Sequence, residues 1–513
     1  MSRLKSNIKY NFIGQGSLVL LSIFSVKYIH GGLGEDVLGI VFFTTMVNLL
    51  VAEMLQVGIS VTTVREISSH YATDKRYIGD YIRTGTTLYW SAYFLIVAVI
   101  LIAAPWLVEN WIKLDSLDPT AATYILQVLG VTSLLVLPRW LYVSMLRGIE
   151  QMGLTNLIDV STTAMQHLGT ILLIVSGHQL YTIIYWYSFC YLLRLTIYLA
   201  VCTRFFNFSM LLPGFKLYVI KKNLRYTSRL MLATVIGATM QQLDKIIISK
   251  LLPIASIGYY GFLFGGLSKM RLMPAAIAQA AFPALCALHQ AGKVEELRRQ
   301  YNVLQEIGTY SSIPLFALAV YVAMPGLSFV FNQAVAVSLF WPTVLLCVGI
   351  YTYGALTLPY LFSLAVGNSG IQAKQNLIDL VVYPLPAAFL IWKFGMLGAA
   401  CSVAFLYVLH AVYGLVRIYR ECIKSRTSSF VFQQLRLICL VLLTYGLAFF
   451  LIRFGERQMD IPILVVAYLG ASAAYLTGGY YLLPAESKAK IRAALPPFLR
   501  GMSSTSLSGN GVR

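Results

Sequence analysis

The sequence predicts an all-α polytopic membrane protein of about 14 transmembrane helices, and three observations predict it. The chain is 58% hydrophobic and 12% charged, with a mean hydropathy of +0.73. A soluble domain carries roughly twice that charged fraction. Second, apolar runs of about 20 residues, the length that spans a bilayer, recur along the chain with short links between them. Third, Asn156-Leu157-Ile158-Asp159-Val160 returns as Asn376-Leu377-Ile378-Asp379-Leu380, 220 positions later. Leu137-Pro138 and Leu358-Pro359 lie 221 apart, and Leu38-Gly39-Ile40 matches Ile257-Gly258-Tyr259 at an offset of 219. Ordered matches at nearly one offset mean one unit written twice.

The spans, in order, are expected at 11–30, 37–60, 85–107, 121–146, 157–176, 181–203, 229–251, 255–286, 304–326, 338–366, 376–394, 397–416, 435–453 and 462–483. Spans 1–6 form the first copy and spans 7–12 the second. Each copy holds an even number of spans, so both enter from the same side. Two six-helix lobes related by a pseudo-two-fold axis along the membrane normal are therefore expected, plus two extra C-terminal helices. The expected divisions are an N-lobe over 1–203, a linker over 204–228 and a C-lobe over 229–418. Spans 13 and 14 occupy 419–484, and a Ser/Gly-rich tail occupies 485–513.

Placing the N-terminus in the cytoplasm puts 28 of the 39 lysines and arginines in cytoplasmic segments. Only Lys113, Lys393, Arg453 and Arg457 fall outside. Cytoplasmic loops carry such an excess, so both termini are expected inside. Much of the net charge of +19 is then topological. It does not point to nucleic acid, because no soluble basic module exists to bind it. Seven scattered cysteines form no CxxC motif, and no metal site, cofactor or disulfide framework is expected. The first apolar run follows Arg3, Lys5 and Lys9 without a small-residue cleavage signal and reads as a retained span.

Ionisable groups inside a bilayer are costly and usually face a cavity or a partner. By that rule the candidates are Lys27, Glu53, Arg139, Arg194, Asp244, Lys245, Lys269 and Arg271, six cations against two anions. A cavity lined this way favours an anionic ligand. On span 7, Thr227, Thr234, Gln241 and Lys245 fall within about 40° of one line. Adjacent helix positions point about 100° apart, so a direct Lys245–Asp244 pair is awkward. Lys250 reads as an interface residue. On span 8, Lys269 and Arg271 flank the line of Gly261, Gly265, Ser268 and Gln279 at about 80° on either side. Span 5 carries Asp159, Thr162, Thr163, Gln166 and Thr170 within about 60° of one line.

For Asp159, and for its repeat Asp379, the favoured reading is a carboxylate stabilised by a helix N-terminus. Span 1 presents Gln15, Ser22 and Ser25 on one face, with Lys27 nearly opposite. Arg139 follows Pro138 and either faces the cavity or caps a proline kink. Arg194 lies mid-span in span 6. Glu53 is a counter-ion or a proton site, and with Asp244 it is the candidate for ion coupling. His167 and His410 read as buried packing residues. Glu35, Asp36, Asp115 and Asp118 read as solvated loop acids. No catalytic constellation or phosphate loop is present, so an enzyme is not expected.

The architecture resembles the polysaccharide and O-antigen repeat-unit (Wzx-like) flippases of the multidrug/oligosaccharidyl-lipid/polysaccharide exporter superfamily. The local likeness lies in Leu243-Asp244-Lys245-Ile246-Ile247-Ile248-Ser249-Lys250, followed by Ile257-Gly258-Tyr259-Tyr260. The link after span 7 departs from the pattern, with Pro253-Ile254-Ala255 and no glycine. The resemblance spans roughly residues 5–484 and implies a polyprenyl-pyrophosphate-linked oligosaccharide as substrate. It implies movement from the cytoplasmic to the outer leaflet of a bacterial inner membrane by alternating access, for surface polysaccharide assembly. Polymerase and glycosyltransferase machinery are the expected protein partners. The alternatives are a multidrug or cation exporter, or a peptidoglycan lipid-precursor flippase, of the same superfamily. The excess of cations argues against an organic-cation exporter.

Overall fold

Long apolar runs without strand-like alternation fold as helices. The computed structural model describes residues 2–55, 60–71, 73–368, 370–454 and 461–494, except the side chains of 2–15, 55, 224–234, 453–454 and 493–494. The first repeat comprises α1 (Ser2–Leu33), α2 (Glu35–Leu55), α3 (Val61–His70), α4 (Lys75–Asn110), α5 (Pro119–Ser133), α6 (Val136–Gly148), α7 (Met152–Val175) and α8 (Leu180–Cys202). A single turn, α9 (Phe208–Leu211), precedes α10 (Leu217–Leu251). There follow α11 (Ala255–Lys269), α12 (Leu272–Gln290), α13 (Val294–Val330), α14 (Gln333–Ala365), α15 (Gly370–Val382) and α16 (Pro384–His410). The chain ends in α17 (Thr427–Val441), α18 (Leu447–Phe454), α19 (Ile461–Leu482) and α20 (Ala485–Ala494). No strand is present among the described residues.

Local sequence sets several boundaries. Asp74 caps α4 by accepting the Tyr77 N–H at 2.9 Å. Asp118 caps α5 by accepting the N–H groups of Thr120 and Ala121, each at 3.1 Å, with Pro119 opening the helix.

Among the described residues, twelve helical runs are long and apolar enough to cross a membrane. Three places differ from the expected spans. Span 4 is divided at Leu134–Leu135, where α5 gives way to α6. Pro138 then sits in the first turn of α6, where its missing N–H costs nothing. Span 8 is divided at Met270–Arg271, three residues before Pro274. Span 11 is divided at Tyr383, just before Pro384, where α15 gives way to α16. Gly395, at φ 58° and ψ −131°, a conformation that favours glycine, falls in the expected gap between spans 11 and 12. A Cβ on Gly398 would overlap the Leu390 carbonyl, so the chain folds back tightly there.

Backbone proximity groups the chain into two units. Of the described residues, unit 1 holds those within 2–264, 328–335 and 376–402; unit 2 holds those within 265–327, 336–375 and 403–494. In unit 1, a core of Tyr89, Leu141, Met145 and Tyr198 joins α4, α6 and α8. Unit 2 has two clusters, one around Tyr301, Phe362 and Tyr419 and one around Tyr310, Tyr445 and Tyr475.

One end of unit 1 joins the first repeat to the start of the second. The Ile254 N–H donates to the Lys113 carbonyl at 2.9 Å, and Lys113 Nζ donates to the Leu251 carbonyl at 2.8 Å. Trp111 Nε1 donates to Ser249 Oγ at 2.9 Å, and Lys250 Nζ reaches the Asn110 carbonyl at 2.5 Å. Lys250 is thus an end-of-helix anchor rather than a free interface lysine. His30 Nε2 lies 3.3 Å from the Tyr259 hydroxyl, and both rings pack on Phe331 with centroids 5.0 Å away. Gly39 and Gly258 face each other here. A Cβ on Gly39 would overlap the Ile254 carbonyl, and one on Gly258 would lie 3.2 Å from Gly39 N.

Asp36, expected as a solvated loop acid, is instead 2% exposed. Its Oδ2 accepts the N–H groups of Asp115, Ser116 and Leu117 at 3.0, 2.7 and 2.9 Å. The carboxylate folds the loop between α4 and α5 around itself, a device that loop composition does not reveal. Asp36→Ala is expected to lower stability by roughly 3 kcal/mol, the scale of a hydrogen bond to a charged group. Limited proteolysis should then cut within 113–118 faster than in the native protein; unchanged cleavage would count against the clamp.

Candidate functional site

The side chains that sequence singled out fall into three clusters. The first lies within unit 1, on α6, α7 and α8. Arg139 Nη1 bonds Asp159 Oδ1 at 2.7 Å, and the guanidinium carbon sits 5.5 Å from the Trp140 ring and 5.8 Å from the Tyr198 ring. The helix-terminus reading of Asp159 is corrected: it is the eighth residue of α7, beyond the reach of the helix dipole. Asp379 likewise lies near the end of α15, not in its first turn. Arg194 Nε donates to Thr162 Oγ1 at 2.8 Å and Nη2 donates to Thr163 Oγ1 at 3.0 Å. The Thr162 hydroxyl gives its own proton to the Ile158 carbonyl at 2.7 Å, which leaves its lone pair for Arg194. Two guanidiniums and one carboxylate therefore share this site, and Arg194 has no direct carboxylate contact among the described residues. Gln166 is buried beside them on α7.

The second cluster, also in unit 1, joins α2, α10 and α11. Lys245 is 9% exposed, and its Nζ lies 3.3 Å from Asp244 Oδ1. It also donates to the Gln241 carbonyl at 3.1 Å and sits 4.3 Å from the Phe264 ring centroid. The expectation that this pair is awkward is corrected. Cβ directions diverge by about 100°, but the long lysine stem curls back along its own helix to the aspartate. Tyr260 donates to the other Asp244 oxygen. Glu53, half-buried on α2, lies in the field of Lys245, and its Oε2 is buried without a hydrogen-bond partner. The Gln241 side chain is exposed. Those of Gln15, Thr227 and Thr234 lie outside the described residues.

The third cluster belongs to unit 2. Arg271 occupies the break between α11 and α12, and its guanidinium carbon lies 3.5 Å from the Tyr353 ring centroid. Tyr353 stacks on Tyr407 with centroids 4.7 Å apart and planes 11° apart. His410 packs edge-on against Tyr407 at 5.7 Å. The arginine is thus braced by a stacked tyrosine pair, while its Nε is buried without a hydrogen-bond partner. Lys269, at the end of α11, is exposed and has no ion-pair partner among the described residues. Neither tyrosine was a sequence candidate; the available signal was Pro274 just after Arg271, which disfavours a continuous helix.

Lys27 stands apart in unit 1, half-buried, with Nζ 3.4 Å from the Phe329 ring centroid. The six intramembrane cations therefore divide. Arg139 and Lys245 contact carboxylates. Lys27, Arg194, Lys269 and Arg271 contact rings, hydroxyls or open space.

A further network in unit 1 escaped sequence reading. Glu66 on α3 is 4% exposed. It accepts Tyr77 Oη at 2.8 Å and Arg65 Nη2 at 2.6 Å, and His70 Nδ1 lies 3.7 Å away. Asn223 on α10 bonds both Tyr77 and Arg65, and Lys222 Nζ lies 3.9 Å from the Tyr77 ring centroid. Burial pushes the Glu66 carboxyl up. The bonds from Tyr77 and Arg65, with the charges of Arg65 and Lys222, outweigh it and hold the group below the usual carboxylate range. A folded-state value below the unfolded one gives stability that is present above the unfolded value and lost as pH falls through the folded one. The melting-temperature difference between the native protein and Glu66→Gln is therefore expected to be full at pH 7 and to shrink below about pH 4.5. A difference that grows on acidification would reverse the assignment.

The helical architecture has counterparts among known proteins. A family model described as a polysaccharide biosynthesis protein matches residues 33–338. A Shigella flexneri protein named as an O-antigen transporter is 21% identical over 414 residues, 80% of this chain and 96% of the relative. Among solved structures, the lipid II flippase MurJ in an inward closed conformation superposes with a TM-score of 0.68 at 13% identity, covering 91% of this chain and 97% of MurJ. An inward-facing multidrug resistance MATE family transporter of the MOP superfamily gives 0.59 at 14% identity, over 79% and 95% of the two chains. The fold is that of the MOP transporters.

Proposed function

Since the chain belongs to the polysaccharide biosynthesis protein family, we propose that it flips a polyprenyl-pyrophosphate-linked oligosaccharide unit across the inner membrane. The observation that carries this reading is Arg194, an intramembrane guanidinium held by two hydroxyls and opposed by no carboxylate of its own. Such a group is costly in hydrocarbon and is offset when an anion fills the site. The substrate head supplies that anion as pyrophosphate, together with hydroxyls that cannot cross the bilayer unaided.

In this mechanism Arg194 is the cation offered to the pyrophosphate, with Lys27 also in unit 1, while Arg271 and Lys269 are the cations that unit 2 offers to an anion. Arg139 acts through Asp159 as a positioning residue. Thr163, Gln166 and Gln241, with Gln15 and Thr234, supply hydrogen bonds to the sugar. The polyprenol stays in the bilayer while two lobes, 1–203 and 229–418, rock around the bound head. Both termini stay in the cytoplasm. The contacts from Lys113 to Ile254 and from His30 to Tyr259 belong to the outer side, and they must part when the substrate leaves. Glu53 and Asp244 flank Lys245 and are the sites offered to a coupling proton or ion.

Reconstituted vesicles test this reading. With a polyprenyl-pyrophosphate-linked oligosaccharide on one leaflet, the native protein should speed exposure of the sugar to an added glycosidase over protein-free vesicles. Transport of an organic cation with no lipid flipping would transfer the chain to the exporter reading.

A further inference from the structure

Arg420, Lys424 and Arg426 crowd the turn between the apolar runs Pro384–Ile423 and Thr427–Ile452, and therefore sit where the chain meets a membrane boundary. The turn has a defined shape. Residues Ile418–Ile423 form π-helical turns, and Lys424 then adopts a left-handed conformation at φ 55°, ψ 45°. That conformation is costly for a residue with a Cβ and tends to be kept where function needs it. The Ser425 N–H bonds the Tyr419 carbonyl at 3.0 Å, and Arg298 Nε bonds the Ile423 carbonyl at 2.9 Å. Both bonds fix the turn from beneath.

Two open grooves, of about 680 and 730 Å³, adjoin along this turn and share Ser425, Arg426 and Ser428. One wall is cationic, from Arg420, Lys424 and Arg426. The other is apolar, from Val431, Phe432 and Leu435, which are 47%, 60% and 52% exposed. Three neighbouring cations are neutralised, Arg417 by Glu421 at 3.3 Å, Arg298 by Glu295 at 3.0 Å and Arg299 by Glu486 at 2.6 Å, while Arg436 lies 4.6 Å from the Phe432 ring centroid. The side chains of Arg420, Lys424 and Arg426 have no ion-pair or hydrogen-bond partner among the described residues, and neither groove is lined by a carboxylate.

We propose that this turn is a binding site for an anionic phospholipid, with the headgroup phosphate among Arg420, Lys424, Arg426 and the Ser425 and Ser428 hydroxyls, and an acyl chain along Val431, Phe432 and Leu435. The occupant follows from charge complementarity on a membrane boundary. A phosphodiester supplies the missing counter-charge. The apolar wall continues into the span, as an acyl chain requires and a free ion does not. Basic clusters beside spans bind anionic lipids in this way. The site is separate from the flipping reading, since it uses none of those residues.

Native mass spectrometry of the full chain tests the site, with phosphatidylglycerol and phosphatidylcholine titrated in parallel. The native protein should retain phosphatidylglycerol preferentially. The triple variant Arg420→Gln/Lys424→Gln/Arg426→Gln should lose on the order of 100-fold of that preference, about fivefold per cation. Lys488→Gln/Lys490→Gln/Arg492→Gln lowers net charge equally and should keep it. Phe432→Ser/Leu435→Ser should weaken retention of both lipids without changing the preference. Equal retention of the two lipids by the native protein, or equal loss in both triple variants, would overturn the site. So would displacement of phosphatidylglycerol by equimolar inorganic phosphate, which would indicate a bare ion site. Stronger retention of a polyprenyl phosphate than of phosphatidylglycerol would assign the groove to the transported lipid instead.

Discussion

Arg194→Gln should reduce flipping by roughly 10- to 150-fold while leaving expression and melting temperature near native. The range follows from about 1.5–3 kcal/mol for one hydrogen bond to a charged group. Glutamine ends where the arginine Nε sits, so it keeps the reach to Thr162 but loses Thr163 and removes the charge that the pyrophosphate would meet. Arg194→Lys should recover part of the loss, because the charge stays while the two-pronged contact to Oγ1 of both threonines goes. Asp159→Asn should behave differently. It breaks the 2.7 Å bond to Arg139 and leaves two guanidiniums without a counter-charge, so stability falls before transport can be read. Native-rate flipping by a well-folded Arg194→Gln protein would remove Arg194 from the mechanism.

The second large effect is steric. Gly39→Val places two methyl groups where α2 meets the chain just before α11, against the Ile254 carbonyl. Backbone cannot move aside as a flexible side chain can, so the cost should reach or exceed the upper end of the ~1–3 kcal/mol typical of overpacking. Loss of monodisperse protein, or a clearly lowered melting temperature, is the expected outcome. Gly258→Ala should be milder, since its Cβ would meet the Leu38 side chain, which can yield, at 3.0 Å and the Gly39 backbone N only at 3.2 Å, a tight contact and not an overlap. The reverse order of severity would show that the contact between α2 and α11 is not what these glycines serve.

The helices and several of the buried charges are legible in the sequence alone. Apolar run lengths gave the helices, and the repeat offset of 219 marked Gly39 and Gly258 as equivalent positions. The rule that buried charge is costly picked out Arg139, Arg194, Lys245 and Arg271. What sequence could not supply was partnership. Arg139 and Asp159 lie 20 residues apart on adjoining helices, and only packing turns them toward each other. Helical projection misjudged Lys245 because it follows Cβ directions and ignores how far a lysine stem can fold. Tyr353 and Tyr407 looked like ordinary apolar filling until the break at Met270–Arg271 placed a guanidinium on one of them. Asp36 was misread because loop acids are usually solvated, and nothing local to it announces three N–H donors arriving from residues 115–117.

The meeting of Gly39 with Gly258 bears on ancestry. When a surface pairs with its own copy about a two-fold axis, residues on that axis meet themselves. Gly39 and Gly258 occupy matched positions of the sequence repeat, 219 apart, and approach each other inside one chain, which is the arrangement that fusing two identical subunits dimerised through that glycine would leave. In such a parent one mutation would have altered both sides of the contact at once. After fusion each side could change alone, and the two positions are then bound only by the need to share one small space. Across descendants of that fusion, a larger residue at one position should be matched by glycine at the other.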